Sequence, residues 1–219
     1  METVKQIPYG VADFESVINQ NMYYVDKTMY LAELEKQPRT LIFIRPRRFG
    51  KSLFISMMRA YYDKSKADRF DKLFGSLWVG SHPTPLRNHY QVLYLDFSQI
   101  SNNIDLLEDN FNRYCCIKLN DFIHTYCEDY PEDKINEFLR ANNFGQKLNM
   151  LLNMSRKYGQ ALYLIIDEYD SFTNIVFSEQ VEETYFKTSL IGRFYSHVFK
   201  LFKGMFERIF LTGVSPVTL

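Results

Sequence analysis

The sequence has few of the cysteines that stabilise small secreted proteins. It contains three, at Cys115, Cys116 and Cys127. An odd count with two adjacent members argues against a disulfide framework, and no histidine lies at ligand spacing from them, which argues against a zinc site. We therefore expect reduced cysteines that act as packing residues.

Long apolar runs and an excess of one charge are also missing. The N-terminal residues METVKQIPYG contain no apolar segment of the signal-peptide type, and no stretch approaches the roughly 18 apolar residues of a membrane span. Basic and acidic residues number 26 each, so a strongly cationic nucleic-acid-binding surface is not indicated overall, although a local patch stays open. These absences predict a cytoplasmic protein without a membrane partner.

Four short, almost continuously apolar runs dominate the rest of the sequence. They are TLIFI (40–44), VLYLDF (92–97), ALYLIID (161–167) and RIFLTG (208–213). Such runs are typical of strands buried on both faces of a parallel sheet. Residues 52–63, 103–127, 132–157 and 181–205 have helical spacing. Strands that alternate with helices predict an α/β fold.

The spacing of these elements predicts two parts. Residues 1–38 form a lead-in segment packed on the core, with helical spacing in ADFESVINQN and KTMYLAELEK. Residues 39–219 form the core, in which residues 100–157 exceed the length of one crossover helix and predict a helical insertion. Because the sequence stops soon after the fourth apolar run, we expect a truncated domain that lacks a following lid.

The first apolar run leads into RPRRFGKS and then into an amphipathic helix. A phosphate-binding loop requires this order, because the backbone N–H groups of the loop and the helix N-terminus must face the anion. Lys51 would reach the β- and γ-phosphates, Ser52 would bind Mg²⁺, and Gly50 would let the backbone approach closely. The predicted nucleotide-binding residues are Arg47, Arg48, Phe49, Gly50, Lys51, Ser52 and Leu53.

This loop departs from the consensus G-x-x-x-x-G-K-[ST] at its first position. Arg45 stands where the consensus has glycine, and Pro46 biases Arg45 toward extended geometry. The alternative is a basic surface loop, for which RPRR alone would be a weak nucleic-acid signal. The strand–loop–helix context favours the phosphate loop.

The third apolar run ends in Asp167, and Glu168 follows it directly. A carboxylate after five apolar strand residues is unfavourable without a partner, and a nucleotide-bound Mg²⁺ would be such a partner for Asp167. Glu168 would polarise the attacking water as general base, so the pair favours hydrolysis. The alternative is a solvated strand end, with Asp170 starting a turn or capping a helix.

Two further polar residues end predicted strands. Thr212 could hold the attacking water or the γ-phosphate, or it could be a simple β-former before a glycine turn. Asp96 could contact the site residues without binding the ligand itself, although a residue of this kind more often caps the next loop. Both alternatives stay open on the sequence alone.

Several segments together resemble the bacterial AAA-ATPase-like family. They are IPYGVADFESV, YYVDKT, RPRRFGKSLFISMM, LIIDEYD and TGVSPVTL. The family's phosphate loop also reads Arg-Pro-Arg-Arg-Phe-Gly-Lys-Ser, so Arg45 belongs to the resemblance. The resemblance implies a P-loop NTPase three-layer sandwich with a mainly parallel sheet, with Lys51 and Ser52 as nucleotide and Mg²⁺ residues and Asp167 and Glu168 as the second motif. It also implies a C-terminal PD-(D/E)XK nuclease-like effector domain outside this chain.

We therefore predict a Mg²⁺-dependent ATPase that couples its nucleotide state to an effector, through which nucleic acid would be a partner. No Asn-Lys-x-Asp guanine motif is present, so ATP is the expected nucleotide. Two alternatives stay open: a nucleotide-gated interaction module with little hydrolysis, and a nucleic-acid-binding domain that uses the basic loop. The sequence does not indicate an oligomeric state.

Overall fold

The structure is a computed structural model that describes residues 5–100, 106–171 and 205–215. In these ranges the strands are β1 (Thr40–Ile44), β2 (Gln91–Asp96), β3 (Leu162–Asp167) and β4 (Arg208–Gly213). Each begins and ends within one residue of an apolar run. The four predicted strands are therefore confirmed.

Six of the eight described α-helices follow the sequence pattern, whereas Phe70–Phe74 and Trp78–Ser81 were not predicted. The eight are α1 (Phe14–Asn19), α2 (Met29–Lys36), α3 (Lys51–Tyr62), α4 (Phe70–Phe74), α5 (Trp78–Ser81), α6 (Leu107–Thr125), α7 (Glu132–Arg140) and α8 (Phe144–Lys157). The stretch 132–157 forms two helices, because Asn143 caps a new one by accepting a hydrogen bond from the Gln146 amide at 3.2 Å. The helix predicted over 181–205 lies outside the described residues, except for Met205.

The described strands form one sheet in the order β1-β4-β3-β2. β4 pairs in parallel with β1 and with β3, and the register places Ile44 opposite Gly213 and Leu211 opposite Ile166. The predicted α/β class with parallel strands is confirmed. Because the strands are parallel, the carboxyl ends of β1, β3 and β4 lie at the same edge of the sheet.

Burial differs between the strands. All six residues of β3 are buried, as a continuous apolar run predicts. In β1, by contrast, no residue is fully buried, and Ile42 is 47% exposed. Burial on both faces is therefore wrong for β1, which lies at the end of the strand order where its faces are less covered.

The chain divides into two compact units, which are described separately. Unit 1 comprises Met1–Arg39 and Pro46–Gln91, and unit 2 comprises Thr40–Arg45 and Val92–Leu219. The predicted boundary between residues 38 and 39 stays a prediction.

The core of unit 1 is aromatic. Phe74 stacks on Phe14 with a centroid distance of 5.0 Å and receives the edge of Tyr61 at 5.4 Å. Aromatic pairs in these arrangements contribute beyond their buried area. The core of unit 2 joins β2, β3 and β4 to the helices of the predicted insertion, through residues such as Phe111, Phe138 and Leu151.

The segment YYVDKT holds the start of α5 in unit 1. Asp26 accepts hydrogen bonds from the Thr28 amide at 2.8 Å and from the Trp78 amide at 2.7 Å. The Thr28 hydroxyl, fully buried, accepts from the Val79 amide at 3.1 Å. Burial alone would raise the pKa of Asp26, but these hydrogen bonds outweigh it and lower the pKa. The segment therefore has a structural role as a helix cap.

Within the described ranges, no helix is both long and apolar enough to cross a lipid bilayer.

Candidate functional site

The loop before α3 contains two left-handed residues. Arg48 has φ +66° and Gly50 has φ +76°, and Gly50 is the residue that precedes the helix. The Gly50 carbonyl accepts the first helical hydrogen bond from the Phe54 amide at 3.0 Å. A Cβ added at Gly50 would meet no atom within 4 Å, so this site requires glycine for its backbone conformation and not for space.

The side chains of the loop differ in exposure. Lys51 is only 6% exposed, and its Nζ donates to the Pro46 carbonyl at 3.2 Å. Ser52 is exposed and Phe49 is 70% exposed. The 12-residue helix α3 begins at Lys51, directly after Gly50, which has no side chain that could cap the helix. The positive end of the helix dipole lies at this start. This is the local geometry of an anion-binding helix start.

Arg45, which replaces the consensus glycine, belongs to unit 2. Its amide donates to the Gly213 carbonyl at 3.2 Å, which extends the pairing between β1 and β4 by one residue. Its guanidinium lies 4.8 Å from the centre of the Phe43 ring. Arg45 is not one of the residues with positive φ. The backbone at this position therefore does not require glycine.

The structure brings Asp167, Glu168 and Thr212 together at the carboxyl edge of the sheet. Asp167 ends β3 and is 2% exposed, and its Oδ1 accepts hydrogen bonds from the Thr212 hydroxyl and from the Glu168 amide. Thr212 is fully buried in β4. The Thr212 hydroxyl proton is therefore directed at Asp167, which the sequence did not reveal because it depends on the strand register.

Glu168 has φ +50°, which is uncommon for a residue other than glycine. The left-handed conformation costs about 1–2 kcal/mol for an L-residue. The Glu168 side chain is half-exposed beside the buried Asp167. A strained residue held by buried neighbours is consistent with a functional position.

The chain after β3 is hydrogen-bonded to the chain after β4. Tyr169 donates its amide to the Thr212 carbonyl and its hydroxyl to the Ser215 carbonyl, both at 2.9 Å. Asp170 is 2% exposed and accepts from the amides of Val214 and Ser215. Sequence reasoning considered Asp170 only as a turn or cap residue. The signal that could have found this role is its position three residues after a strand-end carboxylate.

Asp96 has the alternative role of a cap. Its carboxylate accepts from the Ser98 amide at 3.0 Å, from the Ser98 hydroxyl at 2.6 Å and from Gln99 Nε2 at 2.9 Å. These bonds fix the 3-10 turn Phe97–Gln99 that follows β2.

The loop residues 46–53 belong to unit 1 and Asp167, Glu168 and Thr212 to unit 2, so the structure describes the two groups separately.

In the part of the chain that the structure describes, no three His, Cys, Asp or Glu side chains cluster as they would to hold a metal alone. Ser52 and Asp167 as Mg²⁺ ligands stay predictions.

A parallel α/β sheet whose first strand leads into a Gly-Lys-Ser helix start, with a buried carboxylate at the end of β3, defines a P-loop NTPase-like protein. The chain belongs to the family described as predicted AAA-ATPase, whose family model matches residues 8–219.

A curated relative is the uncharacterized protein in the vnfD 5′ region of Azotobacter chroococcum mcd 1. It is 40% identical over 88 residues, which cover 36% of this chain. This chain thus matches only 16% of that relative's length. No solved structure matched the chain.

Proposed function

We propose that this chain binds ATP with Mg²⁺ and hydrolyses it. The observation that carries the proposal is the start of α3, where a left-handed Gly50 directly precedes a helix that begins with Lys51 and Ser52. Membership of the predicted AAA-ATPase family independently supports nucleotide binding. Both observations support a site for a phosphate group, which Mg²⁺ would accompany.

The loop residues would bind the phosphates. The backbone amides from Arg47 to Leu53 would donate to phosphate oxygens, and the Lys51 ammonium would approach the β- and γ-phosphates. Ser52 and Asp167 would hold the Mg²⁺, Ser52 by its hydroxyl and Asp167 by its carboxylate. A bound Mg²⁺ would neutralise the negative charge that develops on the phosphate oxygens.

The residues at the end of β3 and in β4 would serve turnover. Glu168 would orient and deprotonate the attacking water, since its half-exposed carboxylate follows the Mg²⁺ ligand directly. Thr212 would hold Asp167 by donating to Oδ1, and its remaining acceptor capacity would be available to water. Thr212 would thus support the metal ligand.

We further propose that the nucleotide state of the chain controls an effector domain of the nuclease-like kind, through which nucleic acid would be reached. This part rests on the family resemblance.

The first test titrates a fluorescent ATP analogue with Mg²⁺ and follows phosphate release in the same samples. Lys51→Ala should weaken binding at least about 100-fold, because it removes a charge-assisted contact to phosphate. Lys36→Ala is the matched control, since the Lys36 side chain is 67% exposed in an ion pair with Glu33. Unchanged affinity in Lys51→Ala would refute the proposal.

A second variant separates binding from turnover. Glu168→Gln should keep nucleotide affinity within about threefold while kcat falls at least about 100-fold, because the amide cannot accept the proton. Glu33→Gln serves as the control.

Lys51-dependent binding without turnover in the wild-type protein would favour the nucleotide-gated module. A different result would favour the nucleic-acid-binding alternative: DNA binding that depends steeply on salt and does not change with ATP. Arg47→Ala and Arg48→Ala should then remove this binding.

A further inference from the structure

Asp170 is a buried carboxylate that has no role in the nucleotide chemistry proposed above. Its Oδ2 accepts three hydrogen bonds from the chain after β4: from the Val214 amide at 2.9 Å, the Ser215 amide at 2.9 Å and the Ser215 hydroxyl at 3.0 Å. A buried carboxylate costs free energy unless such bonds compensate it. Asp170 therefore fixes the backbone of these residues.

We name the two segments that meet here the β3 loop (residues 168–171) and the β4 end (residues 212–215). The two approach each other closely at Gly213, where an added Cβ would lie 2.6 Å from Asp170 Oδ1 and 2.6 Å from Tyr169 Cε1. Real Cβ atoms do not reach such distances without a shift of their neighbours. The contact thus depends on glycine at this position.

Tyr169 adds two hydrogen bonds between the same segments. Its amide donates to the Thr212 carbonyl and its hydroxyl to the Ser215 carbonyl. Together with the bonds of Asp170, they connect the β3 loop to Thr212 at the start of the β4 end and to Val214 and Ser215 at its close. Glu168 lies between Asp167 and Tyr169, each of which is hydrogen-bonded to Thr212.

The geometry points to Asp170 as a positioning residue that holds the β4 end against the β3 loop. By doing so it keeps Thr212 in contact with Asp167 and keeps Glu168 in its left-handed conformation. A residue at φ +50° persists where its surroundings hold it in place. Asp170 contributes indirectly, because its three hydrogen bonds hold Val214 and Ser215 in the β4 end. Thr212 in the same segment is bonded to Asp167 and Tyr169, on either side of Glu168. The consequence for turnover rests on the proposed function, whereas the structural part does not.

The structural part is tested by amide hydrogen exchange on the protein without nucleotide. Asp170→Ala should speed exchange of the Tyr169, Val214 and Ser215 amides at least about tenfold, because their shared contacts open together. Asp63→Ala is the matched control, since Asp63 is also buried and accepts from the Ser65 amide and hydroxyl. Asp170→Asn should restore protection toward the wild-type level, because an amide oxygen can accept the same bonds.

Faster exchange at Val214 and Ser215 with an unchanged Tyr169 amide would overturn the proposal, since Asp170 would then order only the β4 end. Equal acceleration in the Asp63→Ala control would overturn it as well, because general destabilisation would explain the result.

The functional part is tested by turnover in the same variants. Asp170→Ala should lower kcat at least about tenfold while ATP affinity stays within about threefold, and Asp170→Asn should recover most of kcat. Unchanged kcat in Asp170→Ala, with exchange accelerated, would overturn the link to turnover. If the wild-type protein neither binds nor hydrolyses ATP, the proposed function fails, and the exchange comparison still decides whether Asp170 holds the two segments.

Discussion

The hydrogen bond from Thr212 to Asp167 should make a measurable contribution to the stability of unit 2. Thr212→Val keeps the shape of the side chain but replaces the hydroxyl by a methyl group beside a carboxylate that is 2% exposed. A hydrogen bond to a charged group contributes about 1.5–3 kcal/mol, and the loss is larger when the remaining partner stays buried. We expect the free energy of unfolding to fall by that amount.

This loss should be visible in both chemical and thermal unfolding. For a chain of this size, each 1 kcal/mol lowers Tm by about 2–4 °C, so the Thr212→Val midpoint should fall by about 3–12 °C. Urea unfolding without nucleotide gives the free energy directly. Thr125→Val is the matched control, because the exposed Thr125 hydroxyl donates only to the Asp121 carbonyl in the last turn of α6. Its effect should stay within about 0.5 kcal/mol.

A double-mutant cycle attributes the loss to this one contact. Asp167→Ala, Thr212→Val and the double variant should show a coupling free energy of about 1 kcal/mol or more, because neighbouring groups that share a hydrogen bond are not additive. A loss below about 0.5 kcal/mol for Thr212→Val, or additivity in the cycle, would contradict the assignment of Thr212 as the donor to Asp167.

Two further predictions concern Gly213 and Glu15. Gly213→Ala should lower the free energy of unfolding in urea by about 1–3 kcal/mol, because its Cβ would overlap Asp170 and Tyr169; wild-type stability would contradict this packing. Burial alone would raise the pKa of Glu15, but Lys66 and Arg69 outweigh it and lower the pKa. Glu15 should therefore contribute to the free energy of unfolding above its unfolded pKa of 4.5, and this contribution should be lost as pH falls through its lower folded pKa. Urea unfolding at a series of pH values should show a weaker pH dependence in Glu15→Gln than in the wild-type protein.

The strands were predictable because a buried strand of a parallel sheet needs an apolar residue at almost every position. β3 meets that condition along its whole length, and even its final Asp167 is buried. The break between α7 and α8 was not predicted, because 132–157 keeps helical spacing through it. A local side-chain cap at Asn143 ends the regularity there.

The residues of the candidate site were predictable individually, but their contacts were not. Strand-end position selected Asp167, Glu168 and Thr212 from the sequence. Which of them touch depends on the register between β3 and β4, and that register arises from packing of the whole sheet. The role of Asp170 is of the same kind, since its partners lie 44 and 45 residues further along the chain.

The missing glycine at position 45 is explained by where the left-handed backbone falls. Arg45 continues the pairing of β1 by donating its amide to Gly213, and Pro46 favours that extended geometry in the residue before it. The positive φ values occur later in the loop, at Arg48 and Gly50. Gly50 meets that requirement without a steric cost, whereas Arg48 bears one. The left-handed conformations of this loop therefore lie at positions 48 and 50, and position 45 does not need glycine because its backbone continues the strand.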